Sequence, residues 1–220
     1  MPICRECKWF NKEIPDCYAP GHDTELRRVT LMRRCIFGAI TENLDLINGK
    51  VLEVGHGKVF FLRKRVYRKG SVWYGVEPRW LGGKPKSRMF DAKVSKMPFE
   101  NDFFDCVYCS QNMEHWHEKG DTIASGLQEI YRVLKPNGLL FVDVPIHSHG
   151  AKIFIVGDID EIKKIFDNKK WGIIKFEERR KIYEPLVPLP IDERPHKIAR
   201  RNSEQTMPSV WLLNIVVRKI

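Results

Sequence analysis

The chain has 220 residues, of which 43% are hydrophobic; this suits one α/β domain with a small appendage. No apolar run reaches the roughly 18 residues of a membrane span, and the amino terminus lacks the apolar core of a secretory signal. We therefore expect a cytoplasmic protein that makes no membrane contact. A formal net charge of +10 favours nucleic-acid binding or a merely solvated basic surface, and both interpretations stay open.

Four of the six cysteines lie within the first 35 residues. A C-x2-C pair on a turn presents two thiolates to one metal ion, and a reducing compartment favours metal over disulfides. The candidate ligands are Cys4, Cys7, Cys17 and, as the fourth, either Cys35 or His22. Three cysteines with the histidine would suit zinc, whereas four thiolates would suit zinc or an iron–sulfur cluster. We assign residues 1–22 to a Cys-rich metal-binding segment, to which Cys35 could contribute.

Residues 23–48 carry apolar side chains at helical spacing and predict a helix. The next segment, VLEVGHGK, begins with an apolar run that predicts a buried strand and continues into Gly55 and Gly57. A strand that ends in a glycine turn and leads into a helix, here 58–69, is the usual cradle of a nucleotide-like ligand. Glu77 ends a second apolar run and is placed to bind both ribose hydroxyls of that ligand.

The ligand expected at this turn is not a dinucleotide, because Phe60 stands where that fingerprint needs a third small residue. A P-loop is also absent from the sequence. The pattern Glu53-x-Gly55-x-Gly57 resembles motif I of the class I S-adenosylmethionine (AdoMet)-dependent methyltransferases. Lys58 replaces a glycine that this family usually has.

Three later segments extend the resemblance. The first contains Asp91-Ala92, then MPF and FFDCV; it implies adenine contacts from Asp91 and Ala92, and a structural role for the aspartate of FFDCV. The second, SQNMEHWH, follows the predicted fourth strand. It carries His115, which could brace the loop, hold substrate or act as a base; we favour bracing or binding. The third, RVLKPNG, predicts a helix end and a sharp Asn-Gly turn before a fifth strand.

In the rest of the chain, the helices and strands are predicted from local pattern and from their order along the sequence. The predicted elements are a helix over 121–134 capped by Asp121, a strand over 139–145, a helix over 158–168, a strand over 171–183 and a last strand over 210–218. Residues 184–208 contain five prolines and predict an excursion between the last two strands. Cys106 and Cys109 lie three apart on a strand, so they should point to opposite faces and not share a metal.

The resemblance implies a Rossmann-like α/β fold over residues 23–220, with a seven-stranded, mostly parallel sheet, helices on both faces and an antiparallel last strand. It implies an AdoMet-dependent methyltransferase. The expected cofactor-binding residues are Glu53, Gly55, His56, Gly57, Glu77, Pro78, Asp91, Ala92 and Ser110. RNA is the first acceptor we expect, then a small molecule or a protein side chain. The alternative is a non-catalytic protein that binds AdoMet or docks a partner.

Overall fold

The computed structural model describes residues 43–55, 62, 66, 70–78, 88–146, 150–181 and 210–220. Several predictions lie outside this part of the chain. They are the Cys-rich segment 1–22 with Cys35, most of helix 23–48, His56 and Gly57, nearly all of helix 58–69, and the excursion 184–208.

Seven strands form one sheet, in the order β3-β2-β1-β4-β5-β7-β6. They are β1 Lys50–Val54, β2 Val72–Val76, β3 Met89–Phe90, β4 Phe104–Ser110, β5 Leu134–Pro145, β6 Trp171–Lys181 and β7 Val210–Lys219. Strands β1 to β5 pair in parallel, whereas β7 is antiparallel to both of its neighbours. The predicted seven-stranded, mostly parallel sheet with an antiparallel last strand is therefore confirmed.

Both faces of the sheet are buried, which explains why the central strands are almost continuously apolar. Val51, Trp73 and Tyr108 belong to the core on one face, together with Leu62 and Val66. We call this face A. The opposite face B packs against the longest described helix in a larger core.

The helices differ in detail from the predicted ones. They are α1 Ile123–Val133, α2 Lys152–Val156 and α3 Ile159–Lys164, with 3₁₀ helices at Leu44–Leu46 and Met113–Lys119. None of the described helices has the length and hydropathy needed to cross a bilayer. Helix α3 is the predicted helix 158–168 in shortened form, and α2 was missed because it has barely more than one turn of sequence signal. Gly157, with φ of 69°, separates the two.

Asp121 was predicted to cap α1, and that prediction is wrong. The cap is Thr122, whose Oγ1 accepts from the backbone N–H of Ser125 at 2.9 Å, while Ser125 Oγ accepts from the Thr122 N–H at 3.0 Å. This reciprocal pair satisfies two amide groups that the helix itself leaves without partners. Asp121 instead accepts a hydrogen bond from the Ser95 hydroxyl.

The RVLKPNG segment turns less sharply than predicted. Strand β5 begins at Leu134, immediately after α1, and its register against β4 shifts between Phe104 and Cys106. Asn137 takes the left-handed conformation, with φ of 64°. The Pro-Asn-Gly residues therefore form a bulge inside β5, and the regular part of the strand starts at Leu139 as predicted.

Asp105 has the structural role that the resemblance implied. Its carboxylate accepts from the Lys50 backbone N–H at 2.7 Å and from Lys135 Nζ at 2.7 Å. It thereby joins the starts of β1, β4 and β5. Gly49 makes room for it, because a Cβ there would lie 2.3 Å from Asp105 Oδ2.

Candidate functional site

Four of the predicted cofactor residues lie together at the carboxyl edge of the parallel strands. Val54 of β1 is the register partner of Val76 in β2 and of Cys109 in β4, and Val76 pairs with Phe90 of β3. The residues that follow these four are Gly55, Glu77, Asp91 and Ser110. They therefore lie at one level across four neighbouring strands, where ligands bind in sheets of this kind.

The same level continues across the rest of the sheet. Ser110 is the register partner of Asp143 in β5, Asp143 of Asn214 in β7, and Asn214 of Glu177 in β6. We call the whole set the edge row: Asp91, Glu77, Gly55, Ser110, Asp143, Asn214 and Glu177. Side chains two residues apart on a strand share a face. The row therefore belongs to face A, because Met89, Tyr108 and Val216 of the face A core are each two residues away from a member of the row.

Gly55 forms the turn that the sequence predicted at the end of β1. Its φ is 65°, a conformation that costs other residues energy. Its N–H donates to the Val76 carbonyl at 2.8 Å, and an added Cβ would lie 2.7 Å from Asn112 Cβ. The space that a side chain at Gly55 would occupy is thus filled by Asn112. The other two residues of the predicted cradle, His56 and Gly57, fall outside the described residues.

Asn112 is a site residue that the sequence reasoning missed. Its Nδ2 donates to the Val54 carbonyl and its Oδ1 accepts from Trp116 Nε1 at 3.0 Å. The side chain therefore holds the segment after β4 against the tip of β1, beside Gly55. An asparagine two residues beyond a strand end gave the available signal, but only the parallel pairing of β1 with β4 shows what it holds.

Glu53 is buried at 4% exposure and does not face an open site. Its Oε2 accepts from Trp73 Nε1 at 2.7 Å. Desolvation raises the pKa of Glu53 to about 8, although the bonds from Trp73 and from the Leu62 backbone work in the opposite direction. Leu62 lies beyond the glycine turn, so Glu53 ties the chain that leaves the turn back to β1 and β2.

Glu77 and Asp91 lie at the ends of β2 and β3. The Glu77 N–H donates to the Phe90 carbonyl at 3.1 Å, which holds the two strand tips together. Glu77 and the neighbouring Pro78 and Ala92 are partly exposed, and Asp91 is exposed. Two carboxylates reachable from one edge match a ligand that offers hydroxyl and amino hydrogens.

His115 lies on the 3₁₀ helix Met113–Lys119 and is 37% exposed. Its Nδ1 is 2.7 Å from Glu118 Oε1, and its Nε2 is 3.7 Å from Glu114 Oε1. The hydrogen bond from His115 lowers the pKa of Glu118, while burial raises that of Glu114 to about 8. Both ring nitrogens thus face carboxylates of the same short helix, an arrangement that favours bracing over proton abstraction.

The members of the edge row on β5, β7 and β6 are Asp143, Asn214 and Glu177, and we call them the β5–β7 half of the row. They were not predicted from sequence. The Tyr108 hydroxyl donates to Asp143 Oδ2, and burial followed by the Asp143 charge raises the pKa of Tyr108. Asp143 is 3% exposed and Asn214 is 1% exposed. Asn214 Nδ2 has no hydrogen-bond partner among the described residues. Nothing in the local sequence of β7 distinguishes this asparagine from an edge-strand polar residue.

Cys106 and Cys109 behave as predicted. Cys106 belongs to the core of face A and Cys109 to that of face B, so they point apart. Burial raises the pKa of both thiols, to about 11 for Cys106. No group of three or more potential metal ligands occurs within the part of the chain that the structure describes.

Residues 52–142 match the family described as "Methyltransferase domain". No functionally curated protein matches the sequence. Among solved structures, the chain resembles a SAM dependent methyltransferase from Archaeoglobus fulgidus, with 14% identity and a TM-score of 0.58; the match covers 85% of this chain and 94% of that one.

Two further structures show how wide this resemblance is. One is the Burkholderia thailandensis 1,6-didemethyltoxoflavin-N1-methyltransferase, at 13% identity, TM-score 0.53 and 94% coverage of both chains. The other is the [4+2]-cyclase SpnF, at 16% identity and TM-score 0.55, with 90% of this chain and 85% of that chain covered. At such identities these structures show the fold alone. Residues 52–142 thus match a methyltransferase domain, and this match together with the fold bears out the prediction of an AdoMet-dependent methyltransferase.

Proposed function

We propose that this protein transfers the methyl group of AdoMet to a base in RNA. The observation that carries the cofactor half of the proposal is the edge row, in which a glycine with positive φ at the tip of β1 lies at one level with two accessible carboxylates. That combination suits a nucleoside that carries a charged amino-acid group. When bound, AdoMet supplies a methyl group activated by a positively charged sulfur.

The residues of the edge row would act by binding and orienting. Gly55 lets the ligand approach the main chain, Glu77 accepts from the ribose hydroxyls, and Asp91 and Ala92 face the adenine. Ser110 lies between these residues and the β5–β7 half of the row, where the acceptor would be held. Because methyl transfer is a direct displacement, alignment of the acceptor with the methyl group accounts for most of the acceleration.

The net charge of +10 supports RNA as acceptor, since cationic surfaces attract nucleic acid. The cysteine-rich segment is a second argument, as a candidate docking module. The neighbour from Burkholderia methylates 1,6-didemethyltoxoflavin according to its name, which keeps a small molecule as the second acceptor. If RNA is the acceptor, RNA binding should weaken steeply as salt increases. Binding that is absent or insensitive to salt would exclude RNA.

The cofactor site is tested by calorimetry with AdoMet on wild-type protein and on Glu77→Ala. Loss of a carboxylate that binds two hydroxyls should weaken affinity about 10- to 100-fold. Glu100→Ala is the matched control, because Glu100 is also exposed but lies away from the edge row. Equal affinities in Glu77→Ala and wild type would refute this use of Glu77.

A non-catalytic AdoMet-binding protein is the second candidate, because a fold of this kind does not by itself fix the function. Labelled methyl groups distinguish the two. Label transferred from AdoMet to host RNA, and abolished by Glu77→Ala, supports the enzyme. Clear AdoMet affinity without labelling of any RNA, protein or small-molecule fraction supports the binder.

We propose further that Cys4, Cys7 and Cys17 hold a metal together with Cys35 or His22. The spacing of these residues is the support, and they lie outside the described part of the chain. Elemental analysis of protein purified without air would distinguish zinc from iron. Loss of metal in Cys35→Ser but not in His22→Ala would select the four-thiolate set, and the reverse would select the histidine. Protein without metal would exclude the site.

A further inference from the structure

Resting on the proposed function, we infer that the β5–β7 half of the edge row binds the methyl acceptor through an amide-type edge, a carbonyl group directly beside an N–H. The inference concerns Ser110, Asp143, Asn214 and the adjoining Gln111. Inosine and uridine present such an edge, as does any lactam.

The first argument is position. Asp143 is the register partner of Ser110, which closes the cofactor half of the row, and Asn214 is the next partner along the level. Neighbouring strands are about 4.8 Å apart, so Asn214 lies roughly 10 Å from Ser110 across the sheet. The pairing of β7 with β6 continues for four more residue pairs beyond this level, so these two strands extend past the carboxyl edge of β1 to β4. An acceptor held here would lie next to the cofactor rather than on a remote face.

The second argument is unsatisfied hydrogen bonding. Asn214 Nδ2 is a buried donor without a hydrogen-bond partner among the described residues, and Gln111 Oε1 is a buried acceptor in the same situation. Leaving either group unpaired inside a protein costs stability. A carbonyl on the ligand would satisfy Asn214, and an adjacent N–H would satisfy Gln111.

The third argument is that Gln111 is anchored on Asp143, the register partner of Asn214. The backbone N–H of Gln111 donates to the Asp143 carbonyl at 2.8 Å, and its Nε2 approaches the same oxygen at 3.3 Å. Gln111 adopts a φ of 51°, a conformation uncommon outside glycine and asparagine. The side-chain amide of Gln111 is thereby turned back over the end of β5, with its oxygen left for another partner.

The charges indicate which ligands are excluded. Asp143 is buried with Tyr108 as its hydrogen-bond donor, whereas the charge of Glu177, at the exposed far end of the row, is compensated by Lys175 at 3.2 Å. A buried carboxylate such as that of Asp143 repels carboxylate and phosphate groups. The part of the acceptor that enters this half of the row is therefore neutral and carries a hydrogen-bond donor.

The experiment is a ligand-observed NMR titration on protein loaded with S-adenosylhomocysteine, the demethylated product. The probes are inosine, 1-methylinosine, in which the N–H is replaced, and adenosine, in which the carbonyl is absent. We expect inosine to bind and each analogue to bind at least tenfold more weakly. Equal binding of all three, or binding of none, would overturn the inference.

Two variants test the role of Asn214. Asn214→Leu keeps the side-chain size and removes the orphan donor, so inosine affinity should fall about tenfold while the melting temperature stays equal or rises. Asn101→Leu, on the exposed surface, is the control and should leave inosine binding unchanged. A stabilised Asn214→Leu protein with undiminished inosine affinity would mean that Asn214 is only a strained core residue.

The affinity for S-adenosylhomocysteine, measured first on the same samples, separates the two proposals. Normal affinity for this product with no inosine binding would refute the acceptor assignment alone. Absence of affinity for the product in folded wild-type protein would refute the proposed function itself.

Discussion

Trp73 donates a hydrogen bond of 2.7 Å to Glu53 across the buried pairing of β1 and β2. This bond places a carboxyl group where water cannot reach it, and burial raises its pKa to about 8. At neutral pH the group is therefore protonated in the folded protein. The free energy of unfolding therefore depends on the protonation of Glu53, which lies just before the glycine turn.

Stability should fall as pH rises. Because the pKa of Glu53 is about 8 in the folded state and 4.5 in an exposed chain, folding takes up a proton between these values. The free energy of unfolding should decrease by roughly 2 to 4 kcal/mol from pH 5 to pH 9, given about 1.4 kcal/mol per pKa unit. Glu114, whose pKa is also raised to about 8, contributes in the same direction.

Urea denaturation at several pH values measures this effect. Glu53→Gln should remove about half of the pH dependence, because Glu114 retains its own proton linkage. Glu100→Gln, at an exposed position, serves as the control and should follow wild type. A Glu53→Gln protein with the wild-type slope would show that this carboxyl is ionised in the fold.

Gly55 and Gly70 provide a matched pair for the glycine turn. Both have positive φ, but an added Cβ meets Asn112 at 2.7 Å only at Gly55, whereas nothing lies within 4 Å of it at Gly70. Each alanine variant should lose about 1 to 2 kcal/mol for its backbone conformation. Gly55→Ala should lose roughly 1 to 3 kcal/mol more through the clash, and its AdoMet affinity should fall at least tenfold. Equal stability and equal AdoMet binding in the two variants would contradict the close packing at Gly55.

Asp105 should affect stability but not cofactor binding. Partial burial acts to raise the pKa of Asp105, but hydrogen bonds from Lys135 and Lys50 outweigh it and lower the value. Asp105→Ala should cost about 1 to 2 kcal/mol at pH 7. Since a lowered pKa stabilises only the ionised form, this cost should shrink as pH falls below about 4. Thermal unfolding checks the cost, and a large change in AdoMet affinity would show that the brace also shapes the site.

His115 should prove dispensable for the chemical step. Because both of its nitrogens face glutamates of its own helix, His115→Gln should reduce kcat less than tenfold and leave the pH profile of kcat unchanged. Glu118→Gln, which removes the exposed partner, should behave alike. A general base contributes typically about 10²- to 10⁴-fold. A loss of kcat in that range, together with disappearance of the fall in kcat at low pH in His115→Gln, would identify His115 as the base.

Local pattern was enough to predict much of this fold. Apolar runs ending in Gly55 or Glu77 located the strand tips, and the level register of β1 to β4 brought those tips together as expected. Helix boundaries were less accurate, because Asp121 and Thr122 are both good caps and only the bonds to Ser125 distinguish them. The bulge at Asn137 was missed because Asn-Gly is equally typical of a tight turn.

The other half of the site could not be predicted from local sequence. Asp143 and Asn214 are far apart in the chain and become neighbours only because β7 inserts antiparallel beside β5. Asn112 similarly acquires its role from the β1–β4 pairing. Local periodicity predicts where strands occur, but it does not predict which distant strands pair in the sheet.

The position of β7 also has a consequence for biosynthesis. This strand lies inside the sheet between β5 and β6, yet its residues leave the ribosome after both of its partners. Until translation reaches residue 210, the growing polypeptide exposes the unpaired, apolar edge of β5, the kind of edge that invites pairing with other chains. The nascent protein should therefore depend on chaperones late in translation, and a stop codon placed before β7 should yield an insoluble product.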